Sequence, residues 1–308
     1  MAGDSKMIET NKTFHDFKWI ETQKLTETEM DQLATDYGLT DEMLTYVTDR
    51  DESPHFVYDD DDSNELITVH VPRVLDDNKL RYITQPVSFL IHSGNLFTFN
   101  QSDIPEVNVL FDQMGQNSNS KRADLFILES LFAMMDSYIP VIRLITRKRN
   151  QLDKVLNKNA KNRDLIALSY LRQTLTFFSS AVQLNLDLFK HLASTHFGQS
   201  GDEERLDRIE DVRIEAEQVQ RMIEIETEVV ERISDTFNSV VNNNLNDTME
   251  VLTIWSLTMA IPTILTGFYG MNVHLPFEKW ANAWVFIVIL SIVFIVWLLL
   301  ILKMHRTK

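Results

Sequence analysis

Apolar residues are concentrated in two stretches near the C-terminal end of the chain. Val251–Gly270 and Ala283–Leu302 each run for twenty residues without a charged side chain. A helix needs about 20 apolar residues to cross about 30 Å of hydrocarbon. Two buried core helices are the alternative, but the second stretch is apolar on every side and has no face to turn to water. We therefore predict two membrane spans, at about 251–270 and 283–302, within a membrane domain of residues 250–308.

The residues at the two ends of the second stretch predict its orientation. Trp280 and Trp284 lie at one end, and the basic side chains of residues 303–308 lie at the other. Tryptophan favours the membrane interface, and basic residues favour the cytosolic side. We therefore place the C-terminus in the cytosol, and the N-terminus as well, because two spans return the chain to its starting side. The first residues carry no apolar run, so we expect no signal peptide and predict a multi-pass protein of the plasma or inner membrane.

A third apolar pattern leads into the first span. Between Ile209 and Val240 apolar or small residues recur in alternating steps of three and four, and Glu226 is the single exception. This heptad pattern is typical of a helix that packs along one seam. We predict one helix from about Glu203 to Gly270, about 100 Å long at 1.5 Å per residue. One small domain cannot support such a helix, so we expect a bundle of several subunits. The seam positions are Ile209, Val212, Ala216, Val219, Ile223, Val230, Ile233, Phe237 and Val240.

The first part of the chain, residues 1–118, mixes helical and strand patterns. Thr26–Val47 has a helical pattern, and Leu66–Val71 alternates as a strand does. Val87–Phe99 reads as two strands joined by a Ser-Gly-Asn turn, which is a hairpin signal. These elements predict a small cytosolic α/β domain. The fold class expected for the whole chain is an α+β cytosolic domain, then a long-helix bundle and two C-terminal transmembrane helices, in a homo-oligomer.

The middle of the chain, residues 119–249, is predicted to form a stalk of long helices. The polar segment Gln113–Ser120 is interpreted as a linker. Lys121–Asn157 is predicted to be one helix that bends at Pro140, because proline disrupts the helical hydrogen bonds. Asp164–His196 is predicted to be a second helix, and a turn with two glycines follows it before the long helix begins.

Charge and composition exclude several classes of function. The chain has 308 residues, 29 basic and 45 acidic side chains and a formal net charge of −16, so nucleic-acid binding is disfavoured. It has no cysteine, which excludes disulfides, zinc-thiolate sites and cysteine nucleophiles. No phosphate-binding or hydrolase motif occurs, so we expect neither a nucleotide partner nor an enzyme.

The first span has two different faces on a helical wheel. One face carries small, polar or flexible residues, and the opposite face is mainly aliphatic. Small residues often pack against a neighbouring helix, and they also line pores; periodicity alone leaves both interpretations open. A two-span subunit cannot enclose a pore, so the pore interpretation requires an oligomer. In that case Asn246 forms an amide ring at the cytosolic end, and Met249 with Leu252 forms an apolar constriction. The candidate pore-lining residues are Asn246, Met249, Leu252, Thr253, Ser256, Ala260, Thr263 and Gly267.

The segment directly after the first span resembles a family signature. Tyr269–Gly270–Met271–Asn272 is similar to the YGMN motif of the CorA magnesium transporters. The resemblance extends to Asn246–Thr253 before the membrane, to the two C-terminal spans and to the acidic N-terminal region. It covers about the last hundred residues closely and the rest of the chain in architecture only.

The resemblance implies a function and a filter. CorA proteins are homopentameric channels with an α/β funnel domain in the cytosol, so the chain itself and the lipid bilayer are its expected partners. By the same resemblance Gly270, Met271 and Asn272 form the selectivity filter at the outer mouth, where Asn272 supplies a ring of carbonyl oxygens. Mg²⁺ is slow to lose water, and neutral amides can hydrogen-bond to its hydration shell without removing it. Passive uptake of Mg²⁺, driven by the membrane potential, is the function implied.

Two other functions remain open at this point. A relative of the same family could move Co²⁺, Ni²⁺ or Zn²⁺ instead of Mg²⁺. Zinc-exporting relatives tend to carry a different middle residue in the tripeptide, so Met271 disfavours them. A membrane-anchored coiled-coil scaffold without transport is the third possibility.

Outside the membrane, Glu278 is a candidate for attracting cations, although Lys279 is adjacent to it.

The acidic surface of the long helix suggests regulation. CorA proteins sense cytosolic Mg²⁺ at acidic sites between neighbouring subunits. Asp202–Glu250 contains fifteen acidic residues and five arginines, so bound divalent ions would relieve the repulsion between copies. Asp207, Asp211 and Glu215 lie on one stripe, at i, i+4 and i+8, and are the candidate regulatory ligands; an ordinary solvated acidic face is the alternative. The basic run 143–163 is predicted to pair with these acids.

Overall fold

The computed structural model describes residues 12–13, 16–59, 63–116, 122–159, 162–271 and 282–306. The chain divides into two compact units, Met1–Ser234 and Asp235–Lys308.

A six-stranded mixed sheet forms one layer of the first unit. The strands are β1 (Lys12–Thr13), β2 (Lys18–Gln23), β3 (His55–Asp59), β4 (Asn64–Asp76), β5 (Arg81–His92) and β6 (Asn95–Asn100). They lie in the order β1-β2-β6-β5-β4-β3, and only β2 and β6 pair in parallel. The β5–β6 hairpin confirms the predicted turn. Its central residues Ser93 and Gly94 have φ angles of 48° and 75°, as this type of two-residue hairpin requires.

Alternation along the strands divides the core of the first unit in two. Leu66 pairs with Leu90 across β4 and β5, and the next pair is Ile67 with Phe89. Successive side chains of a strand point to opposite faces. Accordingly, Leu66 and Leu90 belong to one buried cluster, and Ile67 and Phe89 belong to the other. Both faces of the sheet are therefore covered.

Three helices of moderate length cover parts of the sheet: α1 (Glu27–Tyr37), α2 (Asp41–Thr48) and α3 (Pro105–Gln116). Thr26 and Glu29 form a reciprocal capping box that begins α1, and Gly38, with a φ of 73°, ends it. The predicted helical segment Thr26–Val47 is thus confirmed as two helices separated at Gly38.

The predicted linker Gln113–Ser120 is wrong for its first four residues. Residues 113–116 belong to α3, and residues 117–120 lie outside the described residues. Val107, Phe111 and Gly115 are buried at i, i+4 and i+8, so one face of α3 packs into the core. Burial of this face stabilises the helix despite the polar composition of its last turn.

The predicted helix Lys121–Asn157 is interrupted. It forms two helices, α4 (Ala123–Asp136) and α5 (Tyr138–Asn159), and the break falls at Ser137. Pro140 has no N–H to donate to the carbonyl of Asp136, and its ring would clash with that carbonyl. The helical ladder therefore ends about one turn before the proline rather than bending at it. The Ser137 N–H and hydroxyl close α4, donating to Ala133 O at 3.0 Å and to Met134 O at 2.6 Å.

Four further helices, α6 to α9, follow along the chain. Helix α6 spans Asn162–Leu192, and a four-residue helix α7 (His196–Gln199) occupies part of the predicted turn. Helix α8 spans Glu203–Tyr269, which confirms the single helix predicted over about 203–270. Helix α9 spans Ala283–Arg306.

The apolar seam of α8 is buried inside its own chain. From Ile209 to Val230 the seam residues belong to one core cluster together with residues of α4, α5 and α6, such as Ile142 and Leu175. The heptad pattern is confirmed as a packing face. The helices it packs against belong to the same subunit, however, so the seam is no evidence for a bundle of several subunits.

Candidate functional site

The helices of the second unit expose an unusual amount of apolar surface. Three helical stretches are long and apolar enough to cross a membrane by length and composition. The first, Ala123–Val155, is mostly buried in the core of the first unit. The most apolar window within Glu203–Tyr269 is 0% buried, however, and that of Trp284–Ile301 is 6% buried. A soluble protein rarely leaves so large an apolar surface exposed, so a membrane or other copies of the chain must cover it.

One side of the α8 segment in the second unit is partly covered. Ile254, Thr258, Ile261 and Leu265 are half-buried at i, i+4, i+7 and i+11. On α9, which is the other described helix of this unit, Ser291 is buried at 7% exposure. The half-buried residues therefore mark one side of α8 in this unit.

The small and polar stripe of α8 lies on the other side. Asn246, Met249, Leu252, Thr253, Ser256, Thr263 and Gly267 are exposed, and Ala260 is half-buried. The stripe is therefore free to line a pore or to pack on a neighbouring copy, and both interpretations remain open.

Threonine hydroxyls on this stripe have their hydrogen atoms already engaged. The hydroxyl of Thr253 donates to Met249 O, and that of Thr263 donates to Met259 O, both at 2.8 Å. A hydroxyl has one hydrogen and two acceptor lone pairs. Each oxygen therefore presents only acceptors to its surroundings. Such neutral acceptors suit the outward-pointing hydrogens of a hydrated cation.

The end of α8 forms a tight turn at the tripeptide motif. The Gly270 N–H donates to Thr266 O at 2.9 Å, and the Met271 N–H donates to Phe268 O at 3.3 Å. A Cβ added at Gly270 would lie 3.2 Å from Thr266 O, closer than ordinary contact, so the turn favours glycine. Asn272 and Glu278, the other two predicted residues of this region, lie outside the described residues.

The candidate regulatory acids lie on α8 in the first unit. Asp207 and Asp211 are exposed, and the Asp211 carboxylate is 3.7 Å from Arg208 Nη1. Glu215 is half-buried; burial raises its pKa, and the negative charge of Asp136 raises it further. Among the described residues, no group of three or more His, Cys, Asp or Glu is arranged to hold a metal ion. Within the described part of one chain, these acids therefore do not form a metal site by themselves.

A buried charge network at the start of α8 was missed by sequence reasoning. Asp124, whose side chain is 7% exposed, accepts from Arg122 Nη2 at 2.5 Å and from Arg205 Nε at 2.6 Å. Burial opposes ionisation of Asp124, but the two guanidinium groups hold its pKa below the usual range. Arg122 also lowers the pKa of Asp202 to about 2. The network ties the beginning of α4 to the beginning of α8, and no local sequence pattern reveals it.

Within the basic run 143–163, the predicted pairing with an acid of α8 is found at Arg149. Its Nη2 donates to Glu226 Oε1 at 3.1 Å. Glu226 is the one residue that departs from the heptad pattern, and it is only 7% exposed. The departure from the seam thus marks a buried ion pair.

The architecture defines a class of proteins with an α/β soluble domain, long helices and exposed apolar helices at the C-terminal end. Within that class, the family model described as "CorA-like Mg2+ transporter protein" matches residues 14–306. The match spans nearly the whole chain, so the chain belongs to the CorA family of magnesium and cobalt transport proteins.

Individual relatives support this assignment. The chain is 22% identical to the cobalt/magnesium transport protein CorA of Methanocaldococcus jannaschii, over 88% of this chain and 86% of that protein. It is 21% identical to the protein of the same name from Thermotoga maritima, over 61% of this chain and 53% of that one. The complete structure of the M. jannaschii CorA magnesium transporter superposes with a TM-score of 0.80 at 21% identity, covering 94% of this chain and 90% of that one. The similarity to that structure shows the fold.

Proposed function

We propose that this chain is one subunit of a passive channel through which Mg²⁺ enters the cell. The observation that carries the proposal is the exposed polar stripe of α8, which ends at the Gly270–Met271 turn of the family tripeptide. An inside-negative potential is worth about 2.3 kcal/mol per charge per 100 mV, and about twice that for a divalent ion. Uptake by this route needs no nucleotide.

The proposed channel is a homo-oligomer in the plasma or inner membrane. Two spans from one chain cannot enclose a path, so several copies surround a shared axis, five by family resemblance. Val251–Gly270 and Ala283–Leu302 are the proposed spans, with the basic residues 303–308 and the N-terminal unit in the cytosol. The exposed apolar surface of both helices supports their assignment as spans.

The proposed filter selects a hydrated ion. Gly270, Met271 and Asn272 form the outer ring, and the hydroxyl oxygens of Thr263 and Thr253 continue the row of acceptors inward. The first proposed span contains no carboxylate, so the ion is held only through its water shell and is able to leave again. Glu278, in the segment between the spans, is proposed to attract cations toward the filter.

Ion flux into proteoliposomes tests the proposal. With an inside-negative potential, we expect Mg²⁺ uptake that stops when the potential is removed, because the potential is the driving force. Both related proteins are named cobalt/magnesium transport proteins, which favours Co²⁺ as a second substrate, so Co²⁺ and Zn²⁺ are measured beside Mg²⁺. Uptake of Co²⁺ or Zn²⁺ without Mg²⁺ would support the other divalent-ion transporters. No flux of any ion would support the scaffold.

Regulation by cytosolic Mg²⁺ is proposed to use Asp207, Asp211 and Glu215. The repulsion between Glu215 and Asp136 indicates that a divalent cation would be favoured nearby. We expect the triple variant D207N/D211N/E215Q to need at least about fivefold more internal Mg²⁺ for half-inhibition of uptake, as coupling energies between sites predict. The measurement is Mg²⁺ uptake at a series of internal Mg²⁺ concentrations.

The matched control removes the same charge elsewhere on α8. In E224Q/E228Q/E231Q three exposed acids are neutralised about four to five turns further along the helix. It should retain the native inhibition curve. If both triple variants behave like the native chain, the surface formed by Asp207, Asp211 and Glu215 is an ordinary solvated face and the proposed regulatory role is wrong.

A further inference from the structure

The apolar seam of α8 contains one ionisable side chain in its buried part. Glu226 is 7% exposed, and the neighbouring seam residues Ile223 and Val230 are 0% and 1% exposed. An unpaired carboxylate in such surroundings is strongly unfavourable. Its presence requires partners, and the structure supplies them from α5.

Two residues of α5 hold the Glu226 carboxylate. Arg149 Nη2 and the Thr146 hydroxyl donate to Oε1 at 3.1 Å and 2.9 Å. Arg149 Nε lies 3.1 Å from Oε2 but is not aligned for a hydrogen bond, so this second contact is electrostatic. The side chains of Arg149 and Glu226 are 16% and 10% exposed. The pair is therefore largely desolvated, unlike the surface pair Glu228–Arg232, whose side chains are 72% and 71% exposed.

A desolvated ion pair adds little net stability, but it is able to fix the register of two helices. Its desolvation offsets most of the Coulomb attraction, but separating the partners leaves two uncompensated buried charges. Aliphatic seam residues tolerate exchange for one another because they are similar in size and shape. If α8 slipped by one seam position, about 5 Å along its axis, the aliphatic contacts could re-form, whereas Glu226 would lose Arg149.

We propose that Glu226 and Arg149 are positioning residues that lock the axial register of α8 against α5. Because α8 continues without interruption to Tyr269, a slip at Glu226 is passed along the helix to its polar stripe. The consequence for gating rests on the function proposed above. In that setting, the lock holds α8 in the register at which internal Mg²⁺ closes the channel.

The register is measured directly with a spin-label pair. The native chain has no cysteine, so R172C and E231C provide two unique label sites. In the native chain Arg172 Nη2 on α6 and Glu231 Oε1 on α8 are 3.8 Å apart. Labelled chains are mixed with excess unlabelled chains, so that only distances within one subunit are read. We expect one distance in this background.

The informative variant replaces both charges with apolar residues. R149L/E226L completes the apolar seam, so we expect an unfolding temperature equal to or above that of the native protein. In the same variant we expect a second label distance, because the slip moves position 231 by about one helical turn along the axis of α8. The charge-swapped variant R149E/E226R restores the pair and should return the single distance. The control variant E228L/R232L, which removes the exposed ion pair, should keep the single native label distance.

The gating consequence is measured by uptake against internal Mg²⁺. We expect R149L/E226L to need at least about fivefold more internal Mg²⁺ for half-inhibition, with recovery in the charge-swapped variant. A single native distance in R149L/E226L would overturn the register lock, whether or not ions move. A changed distance with native inhibition would overturn the gating consequence. Absence of Mg²⁺ flux in the native chain would instead overturn the proposed function, and the label distances would still decide the lock.

Discussion

Asn272→Ala is expected to reduce Mg²⁺ uptake to the level of empty liposomes. The substitution removes the amide that, by family resemblance, first contacts the hydrated ion. No other group in the tripeptide offers a side-chain carbonyl, so the ring of acceptors at the outer mouth is lost. Uptake is measured in proteoliposomes at a fixed inside-negative potential, and assembly by size-exclusion chromatography in detergent.

The control for this variant makes the same chemical change away from the stripe. Asn244→Ala alters an exposed residue of α8 that lies about 160° around the helix from the stripe residue Asn246. It should assemble and transport normally. Native transport by Asn272→Ala would contradict the filter assignment, and a monomeric Asn272→Ala protein would show that the residue acts in assembly instead.

Single cysteines on the first proposed span should distinguish a pore from a packing face. The native chain has no cysteine, so each introduced thiol is unique. A positively charged thiol reagent added during transport should block uptake almost completely in S256C and T263C. A cation attached to the wall repels Mg²⁺ and narrows the path. Uptake before and after the reagent is the measurement.

Thr258 provides the matched control for Thr263. It lies on the half-buried face of the same helix, and its hydroxyl bonds to its own backbone in the same way, donating to Ile254 O at 2.7 Å. T258C should transport normally before and after treatment. If the reagent leaves S256C and T263C unaffected as well, the stripe packs against neighbouring helices and the ion follows another route.

Local chemistry made much of the fold predictable. The capping box of Thr26 and Glu29, the hairpin at Ser93 and the unbroken α8 all depend on residues close in sequence. Such signals act within a few positions, where propensity and capping decide. The apolar seam was predictable for the same reason, since its period is a property of the helix itself.

The wrong predictions share a tertiary cause. The polar end of α3 is helical because the sheet buries Val107 and Phe111 on its inner face. The contact between Asp124 and Arg205 was not predicted, because the two residues lie 81 positions apart and no local sequence pattern connects them. The seam of α8 packs on its own subunit because α4, α5 and α6 fold back along it. A sequence pattern predicts that one face of a helix is buried, but it does not predict which surface covers that face.

The candidate site divides in the same way. The polar stripe and the Gly270–Met271 motif were visible in the sequence, because both depend on spacing along one helix. The hydrogen bond from the Thr263 hydroxyl to its own helix could not be predicted from the sequence, since its direction depends on the side-chain rotamer. The lack of a three-ligand metal cluster around Asp207 and Asp211, among the residues that the structure describes, is likewise a property of the fold.

The amino-acid sequence alone predicts two apolar segments near the C-terminal end, one long helix that leads into the first of them, and the family tripeptide directly after that segment. Those features depend on composition and period, which a chain carries before it folds. The folded structure was needed to show that α8 packs against helices of its own subunit and that Glu226 is paired with Arg149. Arg149 and Glu226 lie 77 positions apart in the sequence, and only folding brings them into contact.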